Sequence, residues 1–289
     1  MSTIRHALRA GLLPSGPDPS VPAPAGAAIP RATSDLRFYV GLHQPGDAGG
    51  FERVFLSINR IRGRRKPIPC RDVVIDSGAF RELEQFGGYR HSVGEYADEL
   101  RRLHDTGVIR ITAAVAQDYM CEPFMLAKTG LTVEDHQRLT IERYDALVAC
   151  GLPFPIMPVL QGYAPSDYAR HVRQYGDRLT PGMWVGVGSV CKRNSRPESI
   201  LAVLTAILAA RPDLRLHGFG VKITSLLHPG IRSMLYSADS MAWSYAARKQ
   251  GRNGNDPGEA RAFADRVRDI AAAALTPWQT VLPLERLAA

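Results

Sequence analysis

The stretch VVIDSGAF, residues 73–80, passes directly from a β-branched apolar run into an acid and then into small residues. Such a run favours a buried strand, so the pattern predicts that a strand ends at Asp76. Ser77, Gly78 and Ala79 keep bulky side chains away from the carboxyl group. An acid in this position is either the cap of a following helix or a functional group at a strand end.

Apolar runs of strand length recur along the chain and alternate with stretches of helical period. Strands are predicted at 38–42, 73–76, 109–118, 155–162, 183–190, 214–222 and 234–240. Helices are predicted at 52–62, 92–105, 132–150, 165–176, 197–210 and 258–274. This α/β alternation predicts right-handed crossovers, a parallel sheet and a TIM-type (β/α)8 barrel, irregular if the unplaced eighth strand is missing. An open doubly wound sheet is the structural alternative.

Nearly every predicted strand ends on a polar residue or a glycine. These ends are His43, Asp76, Asp118, Gln161, Gly188 with Ser189, Lys222 and Asp239. In a barrel of parallel strands the carboxyl ends meet at one mouth, which is where enzymes of this fold hold their active sites. A helix cap is the simpler interpretation of any single aspartate, but the set as a whole predicts a shared pocket.

The charge balance favours a polyanionic partner. Lys and Arg number 36 against 28 Asp and Glu, which gives a formal net charge of +8 over 289 residues. Two basic clusters stand out, RIRGRRK at 60–66 and AARKQGRNGND at 246–256. Each cluster could also be an ordinary solvated face.

Composition also predicts the domain organisation and the compartment. Residues 1–35 are rich in Pro and Ala and predict a flexible leader, followed by a single domain over 36–289. The N-terminus lacks the apolar run of a secretory signal, and no run of about 18 apolar residues suggests a membrane span. The four cysteines form no CxxC or CxC pair, so neither a disulfide framework nor a zinc site is predicted. We expect a cytoplasmic protein without membrane contact.

Six motifs carry a resemblance to a known family. In this order and at roughly this spacing between residues 36 and 254, DSGAF, AQDYMCEP, PVLQGY, WVGVGSV, HGFGVK and SADSMAW resemble the strand-end motifs of the tRNA-guanine transglycosylase superfamily. The likeness is greatest to its DNA-acting branch, the DpdA-like deazapurine DNA-modification proteins. The resemblance implies an enzyme that exchanges guanine in DNA for a 7-deazaguanine base of the preQ0 type, through a covalent glycosyl-aspartate and without a cofactor.

The resemblance also implies roles for individual residues. Asp239 would be the nucleophile at the sugar C1′, and Asp76 would be the general acid and base. Asp118 and Gln161 would read the guanine edge. The base would lie against Gly186, Gly188 and Ser189 and between Phe80 and Phe219, although core packing is an equal interpretation of both phenylalanines. The DNA backbone would contact Arg62, Arg64, Arg65, Lys66, Arg248 and Arg252.

Two departures from the superfamily leave alternatives open. No cysteine follows Cys191, so the zinc motif of the tRNA enzymes is absent and no metal is predicted. Cys121 is displaced relative to those enzymes and is assigned no base contact. A tRNA or free-nucleoside guanine transglycosylase is the first alternative, and a non-catalytic nucleic-acid-binding barrel is the second. The oligomeric state is left unpredicted.

Overall fold

The computed structural model describes residues 36–193 and 196–273, and the predicted leader lies outside these ranges. Within them, nine strands, all parallel, form one sheet in the order β5-β4-β3-β2-β1-β9-β8-β7-β6. The strands are β1 (Arg37–Gly41), β2 (Arg53–Ser57), β3 (Asp72–Asp76), β4 (Ile111–Val115), β5 (Ile156–Met157), β6 (Val159–Leu160), β7 (Trp184–Val187), β8 (Arg215–Gly218) and β9 (Leu235–Ser240).

Helices follow most of the strands and cover the outside of the sheet. Those in the described ranges are α1 (Ile58–Ile61), α2 (Ala79–Phe86), α3 (Val93–Asp105), α4 (Pro123–Thr129), α5 (Val133–Ala149), α6 (Pro165–Tyr175), α7 (Pro197–Ala210), α8 (Ile223–Leu226), α9 (Pro229–Met234), α10 (Ala242–Lys249) and α11 (Pro257–Ala272). None of the helices in this part of the chain has the length and hydropathy that a bilayer crossing requires.

One segment joins the two ends of the sheet. Pro158 divides residues 156–160 into β5, which pairs with β4, and β6, which pairs with β7. On one side the Ala114 N–H donates to the carbonyl of Pro155, and on the other the Gly186 N–H donates to the carbonyl of Pro158. The nine strands therefore occupy eight positions of a barrel, which confirms the predicted TIM-type fold and excludes the open sheet.

The helix predicted at 52–62 is wrong, and its error explains the unplaced eighth strand. Residues Arg53–Ser57 form β2, and only the short α1 follows it. Val54, Phe55 and Leu56 are all buried, because β2 lies between β1 and β3 with both faces covered. A strand buried on both faces gives a continuous apolar run, which periodicity alone does not separate from a helix.

The other predicted elements are confirmed, and the strands predicted at 109–118, 183–190 and 214–222 are about half as long as expected. The helices predicted at 92–105 and 132–150 begin at capping boxes. In the first, the Ser92 hydroxyl accepts from the Glu95 N–H while the Glu95 carboxylate accepts from the Ser92 N–H. The short helices α2, α4, α8 and α9 were not predicted. Most of them lie between a strand end and the next long helix or strand, where they shape the mouth of the barrel.

The barrel interior is packed beneath its mouth. A cluster of Tyr39, Phe55, Val74, Ala113, Val115, Met157 and Val159, with Trp184 and Phe219 against it, fills the space inside the sheet. The larger core lies between the sheet and the surrounding helices. Because side chains close the interior, a ligand can enter only at the carboxyl ends of the strands.

Candidate active site

A cavity of about 480 Å³ opens at the carboxyl ends of the strands. It brings together nearly all the predicted catalytic and base-binding residues: Phe80, Asp76, Asp118, Gln161, Gly188, Ser189, Phe219 and Asp239. Gly186 is the exception, because the ring of Phe219 occupies the space where a Cβ of Gly186 would lie. Lys222, predicted as a strand end, is also outside the cavity lining, since β8 already ends at Gly218.

Asp239 is held at the end of β9 by two donors that share one of its oxygens. The Gly220 N–H lies 3.0 Å from Oδ1, and the Nε2 of His217 lies 3.3 Å from the same atom. The side chain is 6% exposed and lines the cavity. These donors stabilise the ionised carboxylate and leave Oδ2 as the oxygen that neither of them holds.

A chain of hydrogen bonds behind Asp239 determines the tautomer of His217. The Nε1–H of Trp184 lies 2.7 Å from the Ser237 hydroxyl, whose Oγ lies 2.8 Å from Nδ1 of His217. Because an indole N–H can only donate, the serine is free to give its own hydrogen to Nδ1. The ring proton of a neutral His217 then lies on Nε2, where it is donated to Asp239.

His217 itself is fully buried among aromatic rings. It stacks on Phe55 with ring centroids 5.5 Å apart and meets the edges of Phe219, Tyr39 and Trp184. This residue was not predicted from the sequence, because the residues next to a histidine in a strand do not indicate which distant side chains it contacts. Its contact with Ser237 arises from the register of β8 against β9.

Asp76 lies at the end of β3 in a more acidic environment. Burial, and then the negative charges of Asp118 and Asp239, raise the pKa of Asp76 from 3.8 to about 7. The Gly78 N–H, 3.0 Å from Oδ2, and the Ser57 hydroxyl partly offset this rise. A carboxyl group with such a pKa can both give and take a proton near neutral pH.

Asp118 and Gln161 form the polar lining on the side of the cavity opposite Asp239. The Nε2 of Gln161 donates to Oδ2 of Asp118 at 2.5 Å, and the Ser77 hydroxyl donates to Oδ1 at 3.3 Å. Burial raises the pKa of Asp118 to about 6, although the Gln161 and Ser77 hydrogen bonds lower it. The two side chains thus present a joined set of acceptors and donors to whatever enters the cavity.

The two predicted stacking residues lie at different depths. Phe80, on α2, is 38% exposed at the rim and packs against Phe124. Phe219 is partly buried and also packs into the interior cluster against Phe55. Both rings face the cavity, and for Phe219 the structure shows core packing in addition.

The predicted basic residues lie in several places. Arg60, which was not singled out, is the member of the 60–66 cluster that lines the cavity. Arg64 donates to the carbonyl of Lys66, and this part of the loop runs along α3, where the Gly63 N–H donates to Glu99. Arg62 and Arg65 belong to the same loop and are not part of the cavity lining.

The second cluster reaches the rim through Arg248. Burial, then the charges of Arg60 and Arg248, lower the pKa of His43, which shows that residues from both clusters approach this histidine. Arg252 instead pairs with Glu259 at 2.5 Å and donates to Gln250. Arg60 and Arg81 therefore bring positive charge to the cavity lining, and Arg248 brings it near His43.

No metal centre is formed by the described residues. Within 36–193 and 196–273, no group of three or more His, Cys, Asp or Glu side chains is arranged to hold an ion. All four cysteines are free, and Cys70 and Cys121 are buried. These residues do not fit the zinc group of the tRNA enzymes.

Comparison with known proteins identifies one family. The model of the DpdA family, described as DeoxyPurine in DNA protein A, matches residues 35–266 of the chain. The matched region contains all nine strands of the described residues and every residue that lines the cavity. No curated protein matches the chain.

Proposed function

The chain belongs to the DpdA family of DNA-modification proteins of the transglycosylase type, and from this premise we propose that it exchanges guanine in DNA for a 7-deazaguanine base such as preQ0. The observation that carries the proposal is the convergence of three carboxyl groups, those of Asp76, Asp118 and Asp239, in one cavity. Their surroundings differ, and so each suits a different step of a base exchange.

In the first half of the reaction, Oδ2 of Asp239 attacks C1′ of the target deoxyguanosine. The C1′–N9 bond breaks, its electron pair stays with the departing guanine, and the protonated Asp76 gives that base a proton. The product is a sugar joined to Asp239 through an ester-like bond, with Asp76 now ionised. A carboxylate held by two donors can stabilise the positive charge that develops on the sugar and then trap it.

In the second half, the incoming base reverses these steps. Its N9 attacks C1′, its N9 proton passes to the ionised Asp76, and the bond to Asp239 breaks. Two inversions at C1′ retain the original configuration. One glycosidic bond replaces another, so the exchange itself requires neither ATP nor a redox cofactor. A pKa near 7 allows Asp76 to serve as acid and then as base.

Base selection is assigned to Asp118 and Gln161. Ionised Asp118 accepts hydrogen bonds from N1–H and the exocyclic amine of guanine, while Gln161 serves the carbonyl side. Adenine has no N1–H, so it would leave buried polar groups without partners, and that penalty is what rejects it.

The position of the cavity requires the target nucleotide to leave the DNA stack. The three carboxyl groups lie inside the mouth of the barrel, which a base in an intact duplex does not reach, so the guanine must be flipped out. Arg60, Arg81 and Arg248 at the rim would contact the flanking phosphates.

Exchange of radiolabelled guanine into DNA, tRNA and free guanosine, measured in parallel, tests the proposal. We expect incorporation into DNA alone, loss of incorporation in Asp239→Ala, and wild-type rates in the control Asp265→Ala, an exposed acid on α11. Incorporation into tRNA or guanosine would support the proposed exchange chemistry but assign it a different substrate. No incorporation into any of the three would favour a non-catalytic nucleic-acid-binding barrel.

A further inference from the structure

One hydroxyl group beside the cavity has more partners than it has hydrogens. The Oγ of Ser189 lies 2.8 Å from each of three groups: the N–H of Cys121, Oε1 of Gln161 and Oε2 of Glu122. A hydroxyl donates one hydrogen and accepts two. The Cys121 amide can only donate, so the single serine hydrogen goes to Gln161 or to Glu122 and not to both.

The orientation of Gln161 decides which of the two receives it. Its Nε2 donates to Asp118, so its Oε1 points to Ser189 and needs a donor. Ser189 supplies that donor, and Glu122 must then donate to Ser189, which only a protonated carboxyl group can do. If the Gln161 amide were rotated by half a turn, every bond in the chain would reverse and the proton would lie on Asp118.

The surroundings of Glu122 favour the protonated form. The side chain is 3% exposed, and burial raises its pKa, which the hydrogen bond that Ser189 can give to the ionised carboxylate and the charge of Arg193 partly offset. The titratable groups around it are Asp118, Cys121, Tyr168, Cys191 and Arg193, and Glu84 lines the same pocket outside the cavity. Arg193 is the one cation of this set, and its Nε is engaged by the carbonyl of Ser189.

We propose that Glu122 is a specificity-determining positioning residue, which as a neutral acid fixes the amide of Gln161 through Ser189 and leaves Asp118 as the ionised acceptor for guanine. This role rests on the proposed base exchange. When Glu122 ionises at higher pH, the serine hydrogen turns to its carboxylate and Oε1 of Gln161 loses its donor. Selection of guanine over adenine therefore weakens as pH rises.

Glu122→Gln removes the ionisable proton of the side chain and keeps its shape. The amide donates to Ser189 as the neutral acid does, but it cannot ionise. We expect the ratio of guanine to adenine binding, measured by equilibrium dialysis of the labelled free bases over a pH series, to fall about tenfold or more as Glu122 ionises in the wild type and to stay constant in Glu122→Gln. Ser189→Ala, which breaks the chain, should give a low ratio at every pH.

Glu84→Gln is the matched control. Glu84 is an exposed carboxylate on α2 that lines the same pocket as Glu122 but takes no part in the hydrogen bonds of Ser189 described above, so its replacement should leave the wild-type pH curve unchanged. An infrared difference spectrum provides a readout independent of base binding. Below the pH at which the wild-type binding ratio falls, the wild type should show the carbonyl stretch of a protonated carboxyl group that Glu122→Gln lacks.

The outcomes distinguish this inference from the proposed function. If the wild type binds guanine and Glu122→Gln keeps its pH slope, or if the infrared band is absent, the role of Glu122 is overturned while the base exchange stands. If the wild type binds no guanine at any pH, the proposed function fails and the specificity role fails with it, even where the infrared band is present.

Discussion

The two sides of the cavity treat the same kind of side chain in opposite ways. On the nucleophile wall, formed by β8 and β9, the carboxylate of Asp239 receives two donors and is backed by His217 and neutral aromatic rings. On the reading wall, formed by β3, β4, β6 and the residues that follow them, Asp76 and Asp118 lie close enough for charge to raise a pKa. Asp239, which must stay ionised as the nucleophile, is given donors, and Asp76, which must move protons, is given acidic neighbours and burial.

The largest expected effect comes from neutralising Asp76 on the reading wall. Asp76→Asn keeps the shape of the side chain but removes its proton transfer, so we expect the rate of guanine release to fall by about 10²- to 10⁴-fold. In the wild type, the same rate should decline as pH rises through about 7, because the acid form is lost. Single-turnover release of labelled guanine measures both. A wild-type rate in Asp76→Asn would remove this residue from the mechanism.

The sequence predicted the cavity through topology rather than through local motifs. Asp76, Asp118, Gln161 and Asp239 were predicted to converge because parallel strands of a barrel end at one mouth, and they do. What could not be predicted depends on contacts across strands. The strand β2 looked helical because burial on both faces removes alternation. The side-chain hydrogen-bond partners of His217 and Glu122 lie 20 or more positions away in sequence.

The second prediction concerns the free energy of unfolding, which the ionisation of Asp76 on the reading wall lowers. The folded protein holds the proton of Asp76 up to about pH 7, whereas the unfolded chain releases it near 3.8. Folding is therefore favoured by this group at low pH, and that contribution is lost as pH rises from about 4 to about 7. The loss is at most ~4 kcal/mol.

Asp76→Asn should remove this cost. We expect the variant to be more stable than the wild type at pH 8, and the advantage to shrink toward zero near pH 4, where both side chains are neutral. Urea unfolding at several pH values measures it. The same substitution at Asp265, an exposed acid of α11, should give no such trend. An equal stability difference at every pH would mean that the ionisation of Asp76 does not strain the fold.

The third prediction tests whether the nucleophile wall depends on His217. His217→Phe keeps a ring in the aromatic cluster but removes the Nε2–H, so Asp239 retains the Gly220 N–H alone. Loss of a hydrogen bond to a charged group should lower kcat about 10- to 100-fold and leave KM for DNA nearly unchanged. Ser237→Ala, which frees the tautomer, should have a smaller effect in the same direction. A rise in KM with kcat preserved would contradict a positioning role.

The smallest expected effects lie outside both walls, at the rim. Arg60 and Arg248 come from separate basic clusters, and the charges of both lower the pKa of His43, so each should contact a phosphate next to the flipped nucleotide. Replacing either by Gln should weaken binding severalfold and reduce the slope of log affinity against log salt by about 1.

Arg268→Gln provides the contrast, because this arginine pairs with Asp265 on α11 away from the mouth and should leave the slope unchanged. Fluorescence anisotropy of labelled DNA over a salt series measures all three variants. If Arg60→Gln and Arg248→Gln give the wild-type slope, the clusters are solvated faces and the walls alone hold the substrate. If both reduce it and guanine preference is unaltered, charge at the rim supplies affinity while the reading wall supplies selectivity, which separates the two regions experimentally.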